Sequence, residues 1–299
     1  MTRHLLEVDD LSPEELHRVL ALASDPVHPP LLAGRTVGLY FEKPSLRTRH
    51  SSEAAVAQLG GHPITFRAEE VVTGGREPLT DIAAVLSGYH AALAARVFDH
   101  ATLEAFAAGG TIPVVNLLSD LGHPCQAVAD LLTMQQEWGD LPGRTLAWVG
   151  DYNNVARSLS LGAAMTGMSV AIASPVGYGP TDVDVERLIA AGLAEPPLVT
   201  TRPAEAVERS DAVHTDVWAS MGQEDEAEAR RRAFEGFAVD DTVMAAAPAH
   251  AVFMHCLPAH RGEEVSAGVV DGPQSRVFPQ AHNRLHAFRG VLRFLLEEV

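Results

Sequence analysis

Lysine is almost absent from this 299-residue chain: Lys43 is its single example, and every other permanent cation is an arginine. The bias runs through the whole sequence. An arginine here is therefore not by itself a sign of phosphate binding, although its forked guanidinium suits that task. Cysteine is nearly as rare. Cys125 and Cys256 sit in separate polar motifs, which argues against a disulfide framework and fits a reducing compartment. No apolar run approaches the roughly 18 residues that a membrane helix needs, so no membrane span is expected. Positive charge is also short. The 22 basic residues face 39 acidic ones, for a formal net charge of −17, the wrong sign for a nucleic-acid backbone. An anionic small substrate would need a local cationic pocket set against the overall field. The opening Met1-Thr2-Arg3-His4-Leu5-Leu6-Glu7 meets acidic residues at once, with no signal-peptide core, and a cytoplasmic location is expected.

What the sequence does have is globular composition, with 46% hydrophobic residues, and enough length for two domains with separate cores. Ser12-Pro13-Glu14-Glu15 predicts a helix start with a capping box, and Leu16, Val19, Leu20 and Ala23 share one face behind it. Strands are expected at Val37–Phe41, Ile112–Asn116, Leu146–Val149, Val170–Ala173, Asp211–Thr215 and Ala251–Met254. Helices are expected at Leu46–Leu59, from about Gln126 to Trp138, from about Val155, and from Ala281 to Val299. Alternation of this kind predicts an α/β fold of two doubly wound parallel-sheet domains joined by long helices. The expected division is 1–137 with 281–299 packing back on it, and 138–280.

Four segments concentrate polar chemistry. In His255-Cys256-Leu257-Pro258-Ala259-His260-Arg261-Gly262-Glu263-Glu264-Val265, an apolar strand delivers a thiol, two histidines and an arginine into a turn, where open α/β sheets place ligands. Alone, it reads equally as a metal site or a Cys/His nucleophile, though no second cysteine or carboxylate stands at metal-ligand spacing. Ser45-Leu46-Arg47-Thr48-Arg49 lies where a strand hands over to a helix; it is either a solvated basic helix start or a phosphate seat on the helix N-terminus. His123-Pro124-Cys125-Gln126 also begins a helix. His123 and Gln126 can both donate to a carbonyl there, or His-Pro can be only a cap, with Cys125 as packing. Gly150-Asp151-Tyr152-Asn153-Asn154 follows a strand but lacks the spaced glycines of a dinucleotide site, so nicotinamide binding is not expected. Asp216 in Asp216-Val217-Trp218-Ala219-Ser220-Met221-Gly222 is either a cap after a strand or a counter-charge for a cationic substrate.

Taken together, these segments resemble the ornithine carbamoyltransferases in order and spacing, from Phe41 to Arg284. The resemblance implies that carbamoyl phosphate is held by Ser45, Leu46, Arg47, Thr48, Arg96, His123, Gln126, Cys256, Leu257 and Arg284. It implies that L-ornithine is held by Asn153, Asn154, Asp216, Ser220 and Met221, with Arg47, His123, Cys256 and Asp216 closest to the chemistry. Cys256 would place the attacking δ-amine rather than form a covalent intermediate, with Leu257 lending its carbonyl. The implied reaction gives L-citrulline and phosphate in arginine metabolism, with no cofactor and no metal, in a homotrimer with shared active sites. The chain departs from the family pattern at Leu46, where a hydroxyl residue is usual, and at Ser52 in place of a phenylalanine. It also has Asp81-Ile82-Ala83-Ala84 instead of Asp-Thr-Ala-Arg, and Val71-Val72-Thr73-Gly74-Gly75-Arg76-Glu77 in the preceding loop. Alternatives are a carbamoyltransferase for putrescine or an N-acylated ornithine, or a non-catalytic relative. The aspartate-specific branch is disfavoured, because it carries His-Pro-Gly-Pro where this chain has His-Cys-Leu-Pro.

Overall fold

The computed structural model describes residues 2–71, 77–219 and 224–297. The chain divides into two compact units, Met1–Leu132 with His282–Val299, and Thr133–Ala281. Its helices Pro124–Trp138 and Val277–Glu297 each carry the chain from one unit to the other. Each unit is an α/β structure around one wholly parallel sheet, as the alternation predicts.

The sheet of the first unit runs β2-β1-β3-β4, with β1 Thr36–Phe41, β2 His62–Arg67, β3 Ala92–Arg96 and β4 Val114–Leu118. The inner strands are continuous apolar runs such as Val37-Gly38-Leu39-Tyr40-Phe41, buried throughout, because helices cover a parallel sheet on both faces. β2 is an edge strand with exposed and half-buried residues, and its mixed sequence gave no clear strand signal. β4 begins two residues later than expected. Pro113 lacks an N–H and cannot donate to the ladder, although its carbonyl accepts from Leu93 N at 2.9 Å.

Ser12 caps the helix Pro13–Ser24 through the expected capping box, and its buried face is Leu16, Val19, Leu20 and Ala23. The C-terminal helix starts at Val277 rather than Ala281, since Pro279 is tolerated in a first turn. In the first unit this helix buries Ala287, Phe288, Val291, Leu292 and Leu295. Arg289 anchors it by donating to the carbonyls of Ala23 (3.0 Å) and Asp25 (3.2 Å) and to Gln58 Oε1 (2.8 Å).

In the second unit the order is β7-β6-β5-β8-β9, with β5 Thr145–Val149, β6 Ser169–Ala173, β7 Leu198–Thr200, β8 Ala212–Thr215 and β9 Val252–His255. Its core gathers Ala147, Val149, Ala171, Val213, Phe234 and Phe253.

Both sheets have the same plan. In the first unit the chain builds β1 and β2, then crosses to the other side of β1 for β3 and β4. In the second it builds β5, β6 and β7, then crosses to the other side of β5 for β8 and β9. Each crossover leaves a crevice at the carboxyl ends of two neighbouring strands, the place where open α/β sheets bind ligands. The first crevice lies between the ends of β1 and β3, the second between the ends of β5 and β8. No described helix is long and apolar enough to cross a membrane.

Candidate active site

The first crevice is built from arginines and hydroxyls. Beyond Phe41, Glu42-Lys43-Pro44 leads to Ser45, which sits in extended geometry at the start of the helix Leu46–Gln58. Ser45 Oγ does not cap that helix. It donates to Thr48 Oγ1 at 3.0 Å, which leaves the first-turn N–H groups to a ligand. Arg96, the last residue of β3, donates from Nη1 to Thr48 Oγ1 (3.1 Å) and Ser45 Oγ (3.3 Å). Arg284 reaches the same hydroxyl from the C-terminal helix, Nη2 to Thr48 Oγ1 at 3.4 Å. Thr48 is buried, Arg47 half-buried, and the Arg47 side chain makes no hydrogen bond or ion pair among the described residues. Leu46, where a hydroxyl was expected from the resemblance, is 71% exposed, so it offers this crevice its backbone N–H alone.

His123 and Gln126 join this group from the start of the helix Pro124–Trp138. His123 is 3% exposed; burial, and then the guanidinium groups of Arg284 and Arg96, hold its pKa well below the usual histidine range. The imidazole is therefore neutral. Gln126 differs from the sequence expectation of a donor. Its Nε2 donates to Asp130 Oδ1 at 2.7 Å, and its Oε1 accepts from Arg284 Nη1. Cys125 is packing, as expected. Its thiol is fully buried, which pushes its pKa up to about 12, and Sγ lies 3.5 Å from the Asn116 carbonyl.

The second crevice is built around a carboxylate. β5 ends at Gly150, whose φ of +134° lies in a region that side chains avoid and turns the chain sharply off the strand. Asn153 then caps the helix Asn154–Met165, its Oδ1 accepting from Val155 N and Ala156 N. With Oδ1 used in this way, Asn153 Nδ2 donates to Asp216 Oδ2 at 2.9 Å. Asp216, just past β8, is 6% exposed, and its Oδ1 accepts from Cys256 Sγ at 3.1 Å. Asp216 caps no helix. It ties the ends of β5, β8 and β9 together. Asn154 begins the same helix with its side chain beside Val155 N. Ser220, Met221, Val72 and Arg76 lie outside the described residues.

Leu257, which follows Cys256, adopts φ +60°, and its N–H donates to His255 Nδ1 at 2.9 Å. The other ring nitrogen of His255 donates to Glu264 Oε1 at 3.2 Å, both side chains being fully buried. Glu264 Oε1 also accepts from His260 N. Arg261 is taken by Asp271, with contacts of 2.7 and 2.9 Å.

Sequence spacing showed no second cysteine or carboxylate beside Cys256 as a metal ligand; in space there is one. The fold brings ligand atoms of Asp216, His255 and Cys256 within 4.8 Å of one another, and those of His260, Glu263 and Glu264 likewise. Sequence distance hid the first group, and the turn after Pro258 formed the second. In the first group both His255 nitrogens are already bonded within the protein, so its imidazole is a support for the turn rather than a ligand.

Three contributors escaped the sequence reading. Asp130 stood four residues after Gln126, the spacing at which helix neighbours meet, and that was a usable signal. Glu264 stood within the His255–Val265 segment, but its role was not legible there, since its burial is tertiary. Arg230 gave no signal. It donates from Nη1 to Asp151 Oδ2 (2.8 Å) and to the Trp218 carbonyl (3.0 Å), bracing the turn before Asn153. Burial raises the Asp151 pKa, and Arg230 opposes that rise.

Comparison with known proteins identifies the pattern. The family model described as the aspartate/ornithine carbamoyltransferase carbamoyl-P binding domain matches residues 3–136, and the Asp/Orn binding domain of the same family matches 142–295. The ornithine carbamoyltransferase of Acidothermus cellulolyticus is 49% identical, with 99% of this chain and 97% of that protein aligned. That of Haloquadratum walsbyi is 44% identical over 99% and 98%. Among solved structures, ornithine carbamoyltransferase from Pyrococcus furiosus superimposes with a TM-score of 0.93 at 41% identity, covering 99% of this chain and 98% of that one. The Thermus thermophilus enzyme gives 0.90 at 42% identity, covering 99% of both chains.

Proposed function

The chain belongs to the aspartate/ornithine carbamoyltransferase family, and from that premise we propose that it moves the carbamoyl group of carbamoyl phosphate to the δ-amine of L-ornithine, giving L-citrulline and phosphate. The observation that carries the reading is the pairing of crevice chemistries: guanidinium and hydroxyl groups at one switch point, a buried carboxylate at the other.

Carbamoyl phosphate brings its own leaving group, so the protein's tasks are binding, polarisation and alignment. Ser45, the backbone N–H of Leu46, Arg47 and Thr48 seat the phosphate on the helix N-terminus. Arg96, neutral His123 and Arg284 face the carbamoyl oxygen, where negative charge grows as the amine attacks. Gln126 Oε1 accepts from the carbamoyl NH2. On the ornithine side, Asn153, Asn154, Ser220 and Met221 hold the α-amino-acid end. Asp216 and Cys256 orient the δ-nitrogen, and Leu257 contributes its carbonyl. The δ-ammonium must first lose a proton, because only the neutral amine has a lone pair. The new bond joins that nitrogen to the carbonyl carbon, the carbon–oxygen bond to phosphate breaks, and the proton that the nitrogen then sheds passes to the departing phosphate.

The direct test is stoichiometry. Purified protein given both substrates is expected to form citrulline and phosphate in equal amounts; phosphate release without a carbamoylated amine would contradict the assignment. Cys256→Ala is expected to raise the ornithine KM roughly 2–10-fold, the scale of one hydrogen bond, and to keep turnover. Complete inactivity of that variant, or a covalent adduct on Cys256 in the mass spectrum of the wild-type protein during turnover, would contradict a positioning role.

The same reading makes the first unit, with the C-terminal helix, the carbamoyl phosphate domain and the second unit the ornithine domain. It makes the protein a cytoplasmic homotrimer of arginine metabolism in which neighbouring subunits share active sites. Exposed Ile64, Val85 and Tyr89 on the first unit supply apolar surface for such an assembly. Light scattering that gave a monomer mass would exclude it.

A further inference from the structure

A glutamine amide rotated by half a turn exchanges a donor for an acceptor at the same place with almost no change of shape. A Gln126 free to rotate would therefore read a substrate poorly. Asp130, one helical turn further along Pro124–Trp138, is fully buried, and its Oδ1 accepts from Gln126 Nε2 at 2.7 Å. A carboxylate only accepts, so it captures the NH2 end of the amide. That leaves Oε1 turned toward Arg284, which donates to it from Nη1. The reversed amide would set oxygen against carboxylate and NH2 against guanidinium, two repulsions in place of two bonds. Gln126 is thus held from both sides in one orientation, and its Oε1 keeps a second lone pair.

We propose that Asp130 is a positioning residue that fixes Gln126 as an acceptor and so makes the site select an acyl phosphate bearing NH2 over one bearing CH3. The inference rests on the reading of Gln126 as the carbamoyl contact. A carbamoyl group donates a hydrogen to that lone pair. An acetyl group of the same size cannot, and it leaves that second lone pair unmet. No charge on the substrate distinguishes the two compounds, so the amide orientation decides between them.

The test compares carbamoyl phosphate with acetyl phosphate on the intact protein. The KM for carbamoyl phosphate and the competitive inhibition constant of acetyl phosphate are measured in wild type, Asp130→Asn, Gln126→Met and the double variant. Asparagine can donate as well as accept, so Asp130→Asn no longer enforces the NH2 end and leaves Arg284 alone to set the amide. The ratio of the two constants is expected to shift toward acetyl phosphate by about tenfold, the upper range for one net hydrogen bond. Gln126→Met should shift it similarly, and adding Asp130→Asn to Gln126→Met should change it less than about twofold, since residues acting through one contact are not additive. A merely structural role would weaken both phosphates together, and an unchanged ratio in Asp130→Asn would overturn the proposal. So would a full shift on the Gln126→Met background. An unchanged ratio in Gln126→Met itself would instead overturn the reading of Gln126, and the proposal with it. Should Asp130→Asn not fold, Asp130→Ser is measured in its place, because a hydroxyl also accepts or donates and removes the same hold on the NH2 end; the same ratios decide.

Discussion

Arg47→Ala is expected to cost about 3–4 kcal/mol of transition-state stabilisation, roughly 10²–10³ in kcat, the scale of removing one preorganised donor from a developing anion. The neighbours of Arg47 explain why little would compensate. Arg96 and Arg284 already spend guanidinium N–H groups on Thr48, Ser45 and Gln126. Arg47, half-buried on the first turn of its helix, makes no side-chain hydrogen bond or ion pair among the described residues and is the cation positioned to meet a dianion. Because its side chain bonds to none of the described residues, the melting temperature should stay near that of the wild type. Steady-state kinetics with a thermal melt check this, and near-normal turnover in a folded variant would remove Arg47 from the phosphate seat.

The second large effect is expected at Asp216. Its two oxygens accept from Asn153 Nδ2 at 2.9 Å and Cys256 Sγ at 3.1 Å, so one carboxylate organises the ends of three strands. Asp216→Asn removes the counter-charge for a cationic substrate and turns an NH2 group toward existing donors. Loss of one partner from a buried charged contact costs about 2–5 kcal/mol. The expected outcome is a fall in kcat/KM for ornithine of roughly 10²–10³-fold or more, with carbamoyl phosphate affinity little changed, since the phosphate seat proposed for it is Ser45–Thr48 of the first unit. Equal loss toward both substrates would instead indicate damage to the fold.

How far the sequence foretold this site follows from where each signal lives. The Ser45–Thr48 helix start, the turn after β5 and the His255–Leu257 turn were legible because they are local: an apolar run, then polar residues, then helical periodicity. The two switch points were not. They depend on strand order, and the strands β2, β3 and β7 that complete the sheets are short or mixed in pattern. The orientation of Gln126 was misjudged for a related reason. Sequence shows an amide that can donate or accept, and the burial of Asp130 and the reach of Arg284 across the first unit settle which. Cys256 was ambiguous between nucleophile, metal ligand and positioning group, and its 3.1 Å hydrogen bond to Asp216, 40 residues away, left no mark in the sequence. The departures at Ile82 and Ala84 prove mild within the fold: Ile82 packs against the first unit's core, and Ala84 is exposed. Ser52 is buried at 1% exposure where a larger apolar residue was the expected pattern, and nothing in the structure explains that exchange.

The measurement that bears most directly on the central claim is carbamoylation of ornithine beside putrescine, N-acetylornithine and aspartate, each at the same concentration with carbamoyl phosphate in excess. Ornithine should be carbamoylated fastest. In the proposed arrangement its δ-amine meets Asp216 and Cys256, and its free α-amino-acid end meets Asn153 and Asn154. A faster reaction with putrescine or N-acetylornithine would keep the carbamoyl phosphate crevice and contradict the amino-acid grip of the second one; no reaction with any amine would contradict the assigned activity itself.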